Sequence, residues 1–153
     1  MAEELFRKAF MIYGGNFDRA GESSTQIKEI LESLHIDATI IRRTSIVAFE
    51  AEMNVVMYAH SAKLDLIITE DYICLEILDE GPGIPDIEQA MQEGFSTASD
   101  EMREMGFGFG MGLPNIKKNS HDLTIESNVG KGTKLSARIR LNADAGTWLQ
   151  NQS

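Results

Sequence analysis

The segment from Asp37 to His60 contains no proline or glycine, and its side chains are apolar on nearly every side of a helix. Asp37 is a suitable N-cap for such a helix. The second half of the segment carries three strongly polar side chains, those of Glu50, Glu52 and Asn54. Because a helix that is apolar all round must be covered by other elements, the segment predicts a long, central and largely buried helix. The strands and helices of the rest of the chain must therefore cover this central helix.

The chain before this helix predicts a strand and a second helix. An apolar run from Lys8 to Tyr13, which ends at two glycines, is typical of a strand. The stretch from Asp18 onwards can begin a helix. The buried stripe of that helix has the spacing i, i+3, i+4 and i+7 and consists of Ile27, Ile30, Leu31 and Leu34.

The chain after the central helix alternates with a period of two, which predicts strands. One hairpin is expected at 64–68 and 72–78, and a second at 123–128 and 133–141. Between them we expect a short helix at 86–92 capped by Asp86, a mobile loop at 97–105 and a helix at 113–120. The sum predicts an α+β fold, a two-layer α/β sandwich with a mostly antiparallel sheet and helices on one face. We expect one domain at 1–142 and a tail at 143–153.

Composition limits the possible partners and compartments. The 153 residues suit one domain, and the net charge of −10 has the wrong sign for a protein that binds phosphate backbones, so nucleic acid is not an expected partner. The single cysteine, Cys74, cannot form an internal disulfide, and the three histidines do not provide zinc spacing. No leader or membrane-spanning stretch is apparent, which predicts a cytoplasmic protein without membrane contact.

Glu50 and Asn54 are four residues apart on the central helix and therefore share one face, about 40° apart. A carboxylate beside a neutral amide oxygen suits an ion together with a proton acceptor. A hydrogen-bonded pair between the helix and a loop explains the same spacing equally well. Glu52 points to nearly the opposite side, where we expect it to be solvated.

Three glycine-containing motifs follow the helix. Asp79 ends an apolar strand before Gly81 and Gly83, and there it could accept a hydrogen bond from an amino group such as that of adenine, although a simple β-turn has the same pattern. A second motif places glycines at alternate positions before a helix, which offers backbone N–H groups to phosphates, and it consists of Gly106, Gly108, Gly110 and Gly112. It fits neither a Rossmann fingerprint nor a Walker A loop. The third motif, residues 130–133, is by itself a hairpin turn.

In this order, the pair Glu50-x-x-x-Asn54, the Asp79 motif, the glycine cluster and Gly130-x-Gly132-Thr133 resemble the four ATP-binding boxes of the GHKL (Bergerat-fold) superfamily. The resemblance covers roughly residues 45–140 and implies a mixed sheet. The short chain before the first box is most similar to the anti-sigma-factor serine/threonine kinases and the related switch kinases of bacterial partner-switching systems.

The resemblance implies a role for each matching residue. Asn54 would ligate Mg²⁺, and Glu50 would accept the proton of a serine or threonine hydroxyl group. Asp79 would bind the adenine amino group with support from Thr133. The remaining residues implied in nucleotide binding border the base or wrap the phosphates, and they are Gly81, Gly83, Ile84, Gly108, Gly110, Met111, Gly112 and Leu113.

The implied function is a Mg·ATP-dependent protein serine/threonine kinase. Its expected substrate is a STAS-domain anti-sigma-factor antagonist or a stressosome-type protein, with a sigma factor, a phosphatase or a second copy of the chain as further candidate partners. Two alternatives stay open: a binding module that uses nucleotide to set its affinity for a partner, and a stand-alone catalytic domain of the histidine-kinase type. Arg103, Lys117 and Lys118 are candidate cations for the γ-phosphate, and Trp148 could dock the tail or contact a partner.

Overall fold

A computed structural model of the chain describes residues 3–94 and 112–141. The strands in these ranges are β1 (Phe6–Tyr13), β2 (Ser61–Ile68), β3 (Tyr72–Glu80), β4 (Asp122–Asn128) and β5 (Gly132–Arg140). The α-helices are α1 (Glu22–Ser33), α2 (Ala38–Tyr58), α3 (Ile87–Ala90) and α4 (Gly112–Asn119), and a 3₁₀ turn spans Phe17–Arg19. The loop predicted at 97–105 lies outside the described residues.

The strands form one five-stranded sheet in the order β1-β2-β3-β5-β4. Both predicted hairpins are present, β2 with β3 and β4 with β5. Every pairing in this sheet is antiparallel, whereas the resemblance implied a mixed sheet. Two helices, α1 and α2, lie between β1 and β2 in the chain, and β2 pairs antiparallel with β1.

The core lies between one face of the sheet and the helices. Alternate residues of the strands point to this side, as period-two alternation requires. The buried apolar residues of the sheet include Phe10, Ile12, Leu64, Leu66, Ile73, Leu75, Leu135 and Ile139, and those of α2 include Val47, Ala48, Ala51 and Val55. Helix α2 packs against α1, α4 and the sheet. The predicted central helix and the α+β two-layer sandwich are thus confirmed.

The predicted N-caps of two helices are also confirmed. The Asp37 carboxylate accepts a hydrogen bond from the Thr39 N–H (3.1 Å) at the start of α2. Asp86 does the same for α3, accepting from the Gln89 N–H (3.0 Å), although this helix ends before residue 92. These caps satisfy N–H groups that have no partner within the helix, and so they define where the chain turns into each helix.

The expectation that Glu52 is solvated was wrong, because this side chain is 2% exposed. Its carboxylate accepts hydrogen bonds from the backbone N–H groups of Gly21 (3.1 Å), Ser23 (3.3 Å) and Ser24 (3.0 Å). Helix α1 crosses this side of α2, and its first N–H groups need acceptors. Gly21 adopts φ 97°, so the regular helix begins at Glu22 rather than at Asp18.

In the described ranges, none of the helices has both the length and the apolar character that a bilayer crossing requires.

Candidate functional site

Helix α2 carries Glu50 and Asn54 one turn apart, and the first residue of α4 lies directly against both. A Cβ atom built on Gly112 would lie 3.1 Å from the Asn54 Oδ1 atom and 3.3 Å from the Glu50 Oε2 atom. Any larger residue at this position would crowd both side chains. The absence of a side chain at Gly112 therefore lets the N-terminal end of α4 approach the two polar groups closely.

Glu50 is half-buried, and this environment changes its acidity. Burial raises the pKa of the Glu50 carboxyl group, and a hydrogen bond from the Asn115 side chain lowers it in part. The Asn115 Nδ2 atom lies 3.4 Å from the Glu50 Oε1 atom. A partly desolvated carboxylate with an elevated pKa is a stronger proton acceptor than one in water. The arrangement is chemically suited to receiving a proton beside Asn54.

Asp79 lies near the end of β3, opposite the start of β5. Its Oδ1 atom accepts a hydrogen bond from the Thr133 backbone N–H (3.0 Å). Burial raises the pKa of the Asp79 carboxyl group, and the Thr133 N–H lowers it in part. At Gly132, φ is 151° and a Cβ atom would collide with the Asp79 carbonyl oxygen, so this contact requires glycine. Among the described residues, no hydrogen bond is assigned to the Asp79 Oδ2 atom, which leaves it available to a ligand.

A cavity of about 290 Å³ lies between Asn54 on α2 and Asp79 on β3. Six of the sequence-predicted residues line it: Asn54, Asp79, Gly83, Ile84, Leu113 and Thr133. The sequence analysis did not identify Ala51, Val55 and Tyr58, which line the same cavity. Their spacing from Asn54 on one face of α2 was a usable signal, because positions 51, 54, 55 and 58 follow helical periodicity. The walls are mostly apolar, with a few convergent polar groups, as in small-molecule sites generally.

The loop after β3 is joined to the β4–β5 hairpin by several hydrogen bonds. The Ser127 hydroxyl group accepts from the Ile84 N–H (2.7 Å) and lies 2.8 Å from the Thr133 hydroxyl group. The Gly81 N–H donates to the Lys131 carbonyl oxygen (3.2 Å). Gly83 has φ 78°, and a Cβ atom there would lie 2.5 Å from the carbonyl oxygen of residue 128. Ser127 is a supporting residue that the sequence analysis missed, although the predicted hairpin pairs it with Thr133.

Several predicted site residues cannot be placed. Gly108, Gly110 and Met111 lie outside the described ranges, as do Arg103 and Trp148. Lys117 is exposed on α4, and the Lys118 Nζ atom lies 2.7 Å from the Glu93 Oε1 atom at the surface. Lys118 is therefore engaged with a carboxylate rather than free for an anion.

The donor groups indicate how a cation would be held. In the part of the chain that the structure describes, no cluster of three or more His, Cys, Asp or Glu side chains could hold a metal ion. Asn54 provides one neutral oxygen, so further ligands would have to come from a bound anion and from water. This donor set fits Mg²⁺, which typically binds through few protein ligands together with phosphates and water.

A comparison with protein families matches most of this chain. The family model for "Histidine kinase-, DNA gyrase B-, and HSP90-like ATPase" matches residues 40–143.

Similar curated proteins include the anti-sigma F factor of Caldanaerobacter subterraneus subsp. tengcongensis, 37% identical over 89 residues that cover 55% of this chain and 59% of the relative. The anti-sigma F factor of Geobacillus kaustophilus is 35% identical over 107 residues, covering 64% of this chain and 69% of the relative. The serine/threonine-protein kinase RsbT of Bacillus subtilis is 41% identical over 59 residues, covering 39% of this chain and 38% of the relative. The chain thus spans about three fifths of the length of the first of these relatives.

Proposed function

This chain belongs to the histidine kinase-, DNA gyrase B-, and HSP90-like ATPase family, and from this membership we propose that it is a Mg·ATP-dependent protein serine/threonine kinase. The proposal is based on one observation: the Glu50 carboxylate lies beside Asn54 on α2, and the first residue of α4 lies against both. A protein that only binds nucleotide has no need of a proton acceptor there. The relative RsbT is named a serine/threonine-protein kinase, which supports this activity, and the anti-sigma F factors indicate a partner-switching context.

We assign nucleotide binding to the cavity between α2 and the sheet. The mostly apolar walls suit a flat base, and the Asp79 Oδ2 atom would accept a hydrogen bond from the adenine amino group. The phosphates would extend towards Asn54 and the N-terminal end of α4, where backbone N–H groups favour anions. Asn54 would hold Mg²⁺, which, when bound, neutralises part of the phosphate charge.

Glu50 is the proposed general base. The bond between the γ-phosphorus and the oxygen bridging to ADP breaks as a bond to the acceptor hydroxyl oxygen forms, and the hydroxyl proton passes to the Glu50 carboxylate. The products are ADP and a phosphorylated serine or threonine. The pKa of Glu50, raised by burial, favours its acceptance of this proton.

The proposed substrate is a STAS-domain anti-sigma-factor antagonist or a stressosome-type protein. This substrate is what the resemblance to the anti-sigma-factor kinases implies, and two of the relatives are anti-sigma F factors, which supports a system of this kind. A sigma factor, a phosphatase and a second copy of the chain are further proposed partners in such a system.

The test is transfer of labelled phosphate from Mg·[γ-³²P]ATP into a lysate of the source organism. Wild type should label a small protein with acid-stable phosphoserine or phosphothreonine. The Glu50→Gln variant should retain ADP binding and lose labelling, whereas the exposed control Glu29→Gln should behave as wild type. Unchanged transfer by Glu50→Gln would disprove the role of Glu50.

The anti-sigma F relatives favour a second candidate, a nucleotide-gated binding module with little turnover. For this function, no protein would be labelled, while ADP binding would persist in wild type and be about 10- to 100-fold weaker in Asp79→Asn. Acid-labile label on a protein histidine would instead indicate a catalytic domain of the histidine-kinase type.

A further inference from the structure

Asn115 follows Glu50 by 65 positions in the chain and contacts it from a different helix. It lies on α4, about one turn after Gly112, and its side-chain amide donates to the Glu50 Oε1 atom at 3.4 Å. This distance is at the long end of the range for a hydrogen bond. The other carboxylate oxygen, Oε2, lies towards Gly112.

Helix α4, which carries this amide, is held in place by its packing and by contacts with α2. The residues on either side of Asn115, Pro114 and Ile116, are both buried, and Ile116 is completely inaccessible. At the other end of α4, the buried Arg43 of α2 donates to the Lys118 carbonyl oxygen (3.4 Å). Both ends of α4 are therefore attached to α2, the helix that carries Glu50.

We propose that Asn115 is a positioning residue that holds Glu50 Oε1, so that Oε2 faces Asn54 and the acceptor hydroxyl group; this inference rests on the proposed kinase function. A carboxylate on a flexible side chain has several rotamers, and only some of them direct an oxygen towards the reacting atoms. An amide donor restricts these rotamers and does not itself ionise at neutral pH. The arrangement resembles other sites in which a third group orients the base.

The first test compares two substitutions that change different properties. Asn115→Ala removes the amide and its volume, whereas Asn115→Leu keeps a similar volume and removes the donor without adding a charge. Both should lower kcat for phosphate transfer from Mg·ATP to the acceptor protein by about tenfold or more, equivalent to about 1.4 kcal/mol, and leave the KM for ATP within about twofold. A residue that only fills space would be replaced by Leu without loss, so wild-type kcat in Asn115→Leu would overturn the proposal.

A matched control is available on the same helix. Asn119→Ala removes the same amide group from the next turn, where it donates to the Asn115 backbone carbonyl oxygen (2.9 Å) instead of to Glu50. Its kcat should remain close to that of wild type. An equal loss in Asn119→Ala and Asn115→Ala would mean that the helix as a whole was disturbed, and it would overturn a specific role for Asn115.

A double-mutant cycle tests whether Asn115 acts through Glu50. In the Glu50→Gln background, Asn115→Ala should cause no further loss of residual activity, because the group that it positions is already absent. Additive losses would contradict the proposal.

A spectroscopic measurement does not depend on turnover. The Asn115 side-chain amide signal, identified by its disappearance in Asn115→Ala, should shift in a ¹⁵N–¹H correlation spectrum when Glu50 is replaced by Gln. If wild type labels no protein in the lysate, the proposed function fails, yet this shift still reports the contact. An amide signal that does not respond to Glu50→Gln would overturn the inference itself.

Discussion

Three carboxylates, two on α2 and one on β3, have different surroundings, and their roles differ accordingly. Glu52 is buried and accepts three backbone hydrogen bonds, all from the start of α1. Asp79 is partly buried and accepts one, which leaves an oxygen for a ligand. Within the two described ranges, Glu50 accepts one hydrogen bond, a long one from the Asn115 side chain. The fewer the fixed donors, the more each carboxylate can take part in binding or proton transfer.

The acidity of Glu50 leads to a pH-dependent prediction for stability. Because burial raises its pKa in the folded protein, the ionised group destabilises the folded state at neutral pH. Glu50→Gln should therefore unfold at a higher urea concentration than wild type at pH 7–8. The difference should shrink as the pH falls through the raised pKa and vanish below the unfolded value of about 4.3.

Urea unfolding followed by circular dichroism from pH 4 to pH 8 measures this difference. Glu29→Gln, an exposed position on α1, is the control and should show no comparable pattern. A stabilisation by Glu50→Gln that grows towards acid pH would contradict the prediction.

Asp79 supports a prediction for nucleotide affinity. Asp79→Asn replaces the charged acceptor, and a hydrogen bond to a charged group contributes about 1.5–3 kcal/mol. ADP should therefore bind about 10- to 100-fold more weakly, as measured by isothermal titration calorimetry. Asp71→Asn, at the exposed β2–β3 turn, is the control and should retain wild-type affinity, and an equal affinity in both variants would argue against adenine recognition by Asp79.

Among the elements, the junction between α1 and α2 depends on one side chain. Glu52 serves as the acceptor that the first turn of α1 lacks within its own sequence, since the N-cap residue is Gly21 and makes no side-chain hydrogen bond. A negative charge at a helix N-terminus is also favoured by the helix dipole. The two helices are thereby joined at a point close in sequence to the proposed base.

Removing this acceptor should destabilise the protein. We expect Glu52→Ala to lower the free energy of unfolding by about 2–3 kcal/mol, because it leaves buried N–H groups without partners. The midpoint of urea unfolding should fall while the m value stays unchanged. Glu29→Ala on the exposed side of α1 provides the comparison, and a similar effect of the two substitutions would refute the capping role.

The start of β5 permits a paired glycine test. Gly132→Ala would push the new methyl group into the Asp79 carbonyl. Gly130 also has a positive φ (82°), but no neighbouring atom of the described residues lies within 4 Å of an added Cβ. Both substitutions should cost about 1–2 kcal/mol of backbone strain. Only Gly132→Ala should also weaken ADP binding, by tenfold or more in calorimetry. Equal ADP affinity of the two variants would show that the contact at Asp79 does not shape the cavity.

For the whole molecule, the cavity is formed by residues from α2, α3, α4, β3, β5 and the loop after β3. A ligand bound there would hold these elements together and favour the folded state by mass action. At an ADP concentration of 100 times Kd, the stabilisation should be about 2.7 kcal/mol, which corresponds to a rise in Tm of roughly 5–10 °C. Differential scanning calorimetry checks this, and at the same ADP concentration the 10- to 100-fold weaker binding of Asp79→Asn should reduce the rise to roughly 1–5 °C.

Much of this protein followed from local sequence patterns. The apolar character of residues 37–60 predicted the central helix, and alternation predicted both hairpins, because these patterns depend on the periodicity of the backbone alone. The spacing of Glu50 and Asn54 placed both on one face of α2 for the same reason. The family followed from the order of the four motifs, and the family model that matches residues 40–143 confirms it.

The tertiary structure alone decided contacts between residues far apart in the chain. Glu52 could not be recognised as the cap of α1. The carboxylate and the N–H groups that donate to it are 28–31 positions apart in the chain, and they meet only when the two helices cross. Asn115 reaches Glu50 across 65 positions for the same reason. Periodicity shows which side of an element a residue occupies, but the partner on that side depends on how the elements pack, and here the packing determined which carboxylate is structural and which is available for chemistry.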